Sequence, residues 1–305
     1  MVRLPLDARH RALQAQWTQA GGWEVPLHYG DPLAEHAAVR ESAGLADLSA
    51  RGLWRVSGPD RAKYLQGILT NDVQALAPGQ GCYAAVLDVT GHLQADLRLY
   101  AAGDAFLLDF DPALTTSAAA LLKRYIVVYK VKLDDVSAEW IHLAISGPKT
   151  GEWLAALFGL DLPPLPDYHS VAWDWRGRPI IVIRLSETGE DGVHLLAPNG
   201  AGADFWDACL AAGRPVGGRP IGLQAMESLR IEAGVPRFGA ELDASRFPAE
   251  AGIEHAISYT KGCDLGQETT MRIKTQGSVN RKLVGLRLDG PALPEPGARL
   301  LADGQ

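Results

Sequence analysis

Apolar positions recur along the chain in two different periods. Phe106-Leu107-Leu108-Asp109-Phe110 and Ile141 to Ile145 are short, nearly continuous apolar runs that read as strands. Leu223, Met226, Leu229 and Ile231 fall at helical spacing across Leu223–Glu232, with Gly234 just beyond as a stop signal. A strand, a Ser-Gly-Pro turn and an amphipathic helix occur in that order twice. The first copy is Trp54-Arg55-Val56, Ser57-Gly58-Pro59 and Asp60 to Leu65; the second is Ile141 to Ile145, Ser146-Gly147-Pro148 and Lys149 to Phe158. Proline suits a first helical position, where its missing N–H would be unpaired anyway. Between the copies, Asp111-Pro112 opens a helix running to about Lys123-Arg124, with acid and base placed to complement its dipole. Tyr125 to Leu133 alternates apolar residues with Lys130 and Lys132 and predicts a half-exposed strand, and Lys282 to Leu288 predicts another. Pro163-Pro164-Leu165-Pro166 and the stretch from Gly213 to Pro220 predict connections. Interleaved strands and helices point to an α+β or α/β chain and argue against helix-only and strand-only folds.

Composition narrows this picture. With 305 residues, 47% hydrophobic and 21% charged, the chain is expected to be an ordinary soluble protein of two or three domains. A net charge of -7 and a pI near 5.6 argue against a broad nucleic-acid footprint, with Arg272, Lys274, Arg281 and Lys282 as the one local basic cluster near the motif described next. Three cysteines at wide spacing, Cys82, Cys209 and Cys263, fit a reducing compartment better than a disulfide framework, and no C-x-x-C or His-rich spacing suggests a metal site. The first residues lack a signal peptide's apolar core, and no apolar run is long enough to span a bilayer. A cytoplasmic protein is the expectation.

Lys261-Gly262-Cys263-Asp264-Leu265-Gly266-Gln267-Glu268 sets a thiol beside a cation in a glycine-bracketed turn. A nearby ammonium favours thiolate, so Cys263 is a candidate nucleophile with Lys261 as its activator; Asp264 pulls the other way. In an extended chain Lys261 and Cys263 would share a face and Asp264 would take the opposite one. A buried, inert cysteine in a structural turn is the alternative.

This octapeptide, continuing as Thr269-Thr270-Met271-Arg272-Ile273-Lys274 to Gly277, resembles the YgfZ/GcvT-like folate-binding family. Ser228 to Gly234 with Pro236-Arg237-Phe238-Gly239 is similar to a segment of aminomethyltransferase, the T-protein of glycine cleavage. Thr188-Gly189-Glu190-Asp191-Gly192, Thr70-Asn71-Asp72-Val73 and Gly79-Gln80-Gly81 fit as well. The resemblance implies an α+β fold in which subdomains form a ring around a central folate. By it, residues 1–47 with 138–236 form a first α+β unit, 48–137 with 237–283 a second carrying the Lys-Gly-Cys motif, and 284–305 the start of a C-terminal β-barrel, too short to be complete. It also implies tetrahydrofolate or a derivative as cofactor, Glu190 as the carboxylate accepting adjacent pterin N–H groups, Arg230 as a ligand-site arginine, and Asp96 as a further cofactor-site residue. In Gly91-His92-Leu93-Gln94-Ala95-Asp96-Leu97, Ala95 stands where the transferase's catalytic aspartate is expected. Alanine cannot move a proton, so ordinary aminomethyl transfer is expected to be lost unless another residue substitutes.

Three functions follow from these residues. In the favoured one, a folate-binding protein supports iron–sulfur cluster assembly or repair, with Cys263 as the working thiolate, Lys261 beside it, and client or assembly proteins as partners. In the second, the chain is a folate-dependent aminomethyltransferase, which Ala95 opposes. In the third it is a non-catalytic folate-binding regulatory module. None calls for a membrane or for broad nucleic-acid binding.

Overall fold

The computed structural model describes residues 1–159, 161–277, 279–290, 294, 295, 297–299 and 301. Its strands form three sheets. A five-stranded antiparallel sheet runs in the spatial order Gly81–Leu87, Leu93–Ala102, Ala105–Phe110, Gly52–Ser57, Lys132–Asp135. A six-stranded sheet runs Ser170–Trp175, Arg178–Arg184, Gly192–Pro198, Trp140–Ser146, Gly44–Asp47, Arg219–Pro220, with a parallel pairing at its last edge. The five-stranded sheet thus draws all its strands from within 48–137, and the six-stranded one from within 1–47 and 138–236. A small sheet of Val2–Arg3, Trp23–His28 and Gln16–Ala20, which the hydrophobic pattern did not signal, completes the set.

Alternation decides what each sheet shows to its neighbours. Successive side chains on a strand point to opposite faces. In Leu93–Ala102 this sends Ala95, Leu97 and Leu99 into an apolar core with Tyr64, Leu65 and Leu122 of the covering helices. Asp96, Arg98 and Tyr100 go to the other face. The six-stranded sheet likewise buries Leu143, Val182 and Leu195 with Trp153 and Phe205, and turns Ile183 and Leu196 the other way. The two opposite faces meet: Leu53, Tyr100 and Leu107 of one sheet form a single buried cluster with Ile183, Leu185 and Leu196 of the other. Charged residues on these faces are therefore trapped between sheets.

Both Ser-Gly-Pro turns are present, and both need their glycine. Gly58 has φ of 105° and Gly147 of 144°, and a Cβ on either would lie 2.3 Å from a carbonyl oxygen, of Lys130 and Ser42 respectively. The helices that follow begin at Arg61 and Thr150, so each proline precedes its helix and does not open it. Leu223–Glu232 is helical as its spacing predicts, and the helix expected from Asp111-Pro112 occupies Thr115–Arg124.

Two expected strands differ. Across Tyr125 to Leu133 the chain turns, with the Tyr129 N–H donating to the Ile126 carbonyl at 2.8 Å, and pairing begins only at Lys132. Val127 and Val128 are exposed, so the alternation there was not a buried face. Residues 282–288 form no strand, because a strand exists only through a ladder partner and the described residues supply none; the Leu283 N–H donates to the Glu250 carbonyl at 2.8 Å. The described residues of 284–305 enter no sheet. Of the expected barrel segment, 291–293, 296, 300 and 302–305 lie outside the described residues.

Candidate functional site

A cavity of about 300 Å³ lies against the polar face of the five-stranded sheet. The hairpin Gln19–Gly21 and the strand residues Val25 and Pro26 close one side, the helix Leu223–Glu232 another, and the segment Val235–Phe238 a third. The hairpin tip is tightly seated: a Cβ on Gly21 would lie 2.5 Å from the Pro112 side chain. Leu48, Ile221, Met226 and Phe238 make part of the wall apolar, and Arg51, Asp96, Arg98, Glu187 and Arg230 make the rest charged.

Asp96 is the central acid. Only 6% exposed, it receives the Tyr83 hydroxyl on Oδ2 at 2.8 Å, while Oδ1 has no protein partner among the described residues. Burial pushes its carboxyl above the usual aspartate range against the pull of the Arg98 guanidinium and the Tyr83 hydroxyl. This reverses the significance assigned to Ala95. Ala95 packs with no exposure in the core on the sheet's opposite face, where a carboxylate would meet hydrocarbon and not the cavity. The acid the strand presents to the cavity is Asp96.

Around Asp96 runs a buried ionic chain. The Arg51 Nε donates to Asp109 Oδ1 at 2.6 Å, Arg51 Nη1 lies 4.0 Å from Glu187, and Arg98 pairs with Glu187. Burial raises the Asp109 and Glu187 carboxyls, but the neighbouring guanidiniums outweigh it and hold both below their ordinary range. Asp109 also approaches His142 and His194 of the six-stranded sheet, with one potential ligand atom from each of the three lying within 4.8 Å of the others. Arg51 donates to Asp109 Oδ1, and His142 Nε2 and His194 Nδ1 share a hydrogen bond at 2.9 Å, so part of this set is spent on contacts within the protein, while Asp109 Oδ2 has no partner among the described residues. Desolvation pushes His142 down to about 4 and His194 well below its ordinary range, so both rings are neutral near pH 7.

Among the residues expected from sequence, Asp96 and Arg230 meet at the cavity and three others do not. Arg230, 7% exposed, pairs with Glu227 and with Glu241 at 2.9 Å. Glu190 is outside the lining and pairs with Arg40 at 2.8 Å, whereas Glu187, three residues earlier, lines the wall. The Lys-Gly-Cys motif is also elsewhere. The Lys261 side chain is fully buried, donating from Nζ to the Gln66 carbonyl at 2.6 Å, to those of Leu69 and Asn71, and pairing with Asp264 at 2.9 Å. Desolvation raises the Asp264 carboxyl, and Lys261 opposes that rise. Cys263 is exposed. The extended-chain expectation is thus inverted: Lys261 turns inward with Asp264, Cys263 turns outward, and the ammonium is not free to activate the thiol.

Sequence reasoning missed Arg51, Arg98, Asp109, Glu187, His142 and His194. The signal was present for most of them. Arg98 in Asp96-Leu97-Arg98-Leu99-Tyr100, Asp109 in its Phe-Leu-Leu-Asp-Phe run, and the histidines of Ile141-His142-Leu143 and Val193-His194-Leu195 are lone polar residues inside apolar strands. Such residues are buried and must find partners.

The family described as the GCVT N-terminal domain matches residues 6–261. The aminomethyltransferase of Rubrobacter xylanophilus is 35% identical over 304 residues, spanning 99% of this chain and 80% of its own. That of Shouchella clausii is 36% identical over 311 residues, spanning 100% of this chain and 83% of its own. The crystal structure of the glycine cleavage system aminomethyltransferase T from Bartonella henselae matches with a TM-score of 0.82 at 26% identity, over 90% of this chain and 75% of that one.

Proposed function

The chain belongs to the GCVT N-terminal domain family, and on that premise we propose that it is a tetrahydrofolate-dependent one-carbon transferase of the aminomethyltransferase kind, with Asp96 as its acid–base group. The observation that carries this reading is the register of Leu93–Ala102, which directs Asp96 into the cavity and leaves the opposite face to hydrocarbon. The wall fits a reduced pterin: Met226, Leu48 and Phe238 offer an apolar side, and Asp96 Oδ1 is a buried acceptor with no partner among the described residues. Tetrahydrofolate, when bound, supplies the nitrogen that accepts the one-carbon unit.

The protein's own part is proton handling and exclusion of water. Tyr83 pins Oδ2 of Asp96, which leaves Oδ1 to work. Ionised, Oδ1 takes a proton from an attacking nitrogen; protonated, it returns one to a departing amine. Burial raises the affinity of Asp96 for that proton, and Arg98 keeps the ionised form accessible. Turnover of an aminomethyl-lipoyl donor with tetrahydrofolate tests the reading, together with calorimetric binding of tetrahydrofolate. Asp96→Asn is expected to bind tetrahydrofolate and fail to turn over. Absence of binding by the wild-type chain, or wild-type turnover by the variant, overturns the proposal.

A further inference from the structure

We propose that the Arg51–Arg98 side of the cavity is a subsite for a carboxylate, brought either by the second substrate or by the glutamyl tail of the folate itself; the proposal rests on the folate-dependent reading above. Arg51 and Arg98 both line the cavity and are each 8% exposed. Neither has all its donors used. Arg51 spends Nε on Asp109 and turns Nη1 toward Glu187, but Nη2 has no partner among the described residues; Arg98 spends Nη2 on Glu187, and its Nε has none. A guanidinium cannot shed its proton, so these donors persist at any working pH. Buried donors are almost always paired, and two guanidiniums that line one cavity with donors to spare suit an acceptor from outside the chain.

The charge balance selects the acceptor. Asp109 and Glu187 offset the two arginines one for one, Glu227 is paired with Arg230 and Arg237, and Asp96 and Asp111 line the wall as further acids. A dianion such as a phosphate ester would be repelled by those acids. A monoanion with two coplanar oxygens suits guanidinium donors and adds a single charge. The separate Asp96 Oδ1 acceptor leaves room for an amine on the same ligand or for a pterin nitrogen.

The test uses the whole chain, titrated with acetate and with glycine, each with and without saturating tetrahydrofolate. In parallel it compares tetrahydrofolate with tetrahydropteroate, which lacks the glutamate. The variant is Arg51→Gln with Asp109→Asn, which removes the cation and its buried acid together. Loss of a charge-assisted pair predicts roughly tenfold or greater weakening. If acetate or glycine binds and the variant weakens it so, a separate substrate brings the carboxylate. If tetrahydrofolate is preferred over tetrahydropteroate about tenfold or more and the variant abolishes the preference, the tail brings it. If neither acid binds and the two folates bind alike, or if the variant matches the wild type throughout, the proposal is overturned. Should the double variant fail to fold, Arg51→Lys, which keeps the charge without the fork, is expected to show the same weakening, and wild-type affinity in it overturns the proposal. Failure of the wild type to bind tetrahydrofolate sinks the function proposed above, while the acetate and glycine titrations still decide this one.

Discussion

Lys261, Arg51 and Arg98 are all buried cations, and their hydrogen bonds end differently. Lys261 donates to the carbonyls of Gln66, Leu69 and Asn71 and pairs with Asp264, so its donors are consumed by the chain. Its position beside the end of the helix Arg61–Ile68 makes it a cap for carbonyls that the helix leaves open. Arg51 and Arg98 line the cavity, and each keeps a nitrogen with no partner among the described residues. A motif can thus be conspicuous in sequence because it closes a fold, while unremarkable single residues in apolar strands line the site. What separates the two regions is whether a buried polar group is satisfied, not whether it is charged.

The strongest way to break this comparison is at Asp96. Asp96→Asn preserves an oxygen for the Tyr83 hydroxyl but cannot exchange a proton, and turnover is expected to fall about 10²- to 10⁴-fold. Stability should not fall with it. Because the folded state raises this carboxyl, it favours folding when protonated and opposes folding once ionised as pH rises. The variant should therefore melt no lower than wild type at pH 7, and wild type should gain on the variant as the solution is acidified. A variant that loses turnover by unfolding would place Asp96 with Lys261 as a structural residue.

At Lys261 the prediction runs the other way. Lys261→Met strands Asp264 and three carbonyls in the interior, which should cost about 3–5 kcal/mol of stability, read as a large drop in urea midpoint. Adding Asp264→Leu should recover part of that loss, since the stranded charge is then gone. Unchanged stability with abolished function would restore Lys261 as a site residue.

The degree to which each region was legible in sequence follows from the range of the interactions involved. Leu223–Glu232 and the Ser-Gly-Pro turns were readable because helical spacing and positive-φ glycine are local properties. Tyr125 to Leu133 misled because alternation predicts a strand only where a partner and a core lie beside it, and Val127 and Val128 face solvent. Ala95 misled through register. A shift of one residue along a strand exchanges the two faces, so motif matching pointed to Ala95 while Asp96 was the acid facing the cavity. The pairing of Glu190 was not legible for a long-range reason, since its partner Arg40 lies 150 positions away in sequence. Asp96 and Arg230 both lie at the cavity and within regular elements, whose side-chain directions follow from local periodicity.

The histidine pair sharpens the contrast at smaller amplitude, since it is buried and polar like the arginines but satisfied like Lys261. His142 titrates at 6.5 when unfolded and near 4 when buried, and His194 is likewise lowered by desolvation. Depressed folded values mean that the unfolded chain takes up protons first. The stability tied to these neutral rings is complete above pH 6.5 and is lost as pH falls toward about 4. The melting temperature of wild type should therefore decline across that interval more steeply than that of His142→Gln with His194→Gln. Parallel curves would mean that the two rings are not held neutral between the sheets.

The smallest effect is expected at Cys263. Cys82 and Cys209 are buried, and desolvation pushes the Cys82 thiol up to about 12 and Cys209 higher, so neither should react in the folded protein. Cys263 is exposed and should be the single thiol that a disulfide reagent titrates in the native chain, with all three reacting after unfolding. Cys263→Ala should abolish the native reaction, shift stability by no more than about 0.5 kcal/mol, and leave tetrahydrofolate binding unchanged, because the cavity wall does not include it. A fall in folate binding on that substitution would join the two regions that the structure separates, and would return the thiol beside Lys261 to the centre of the chemistry.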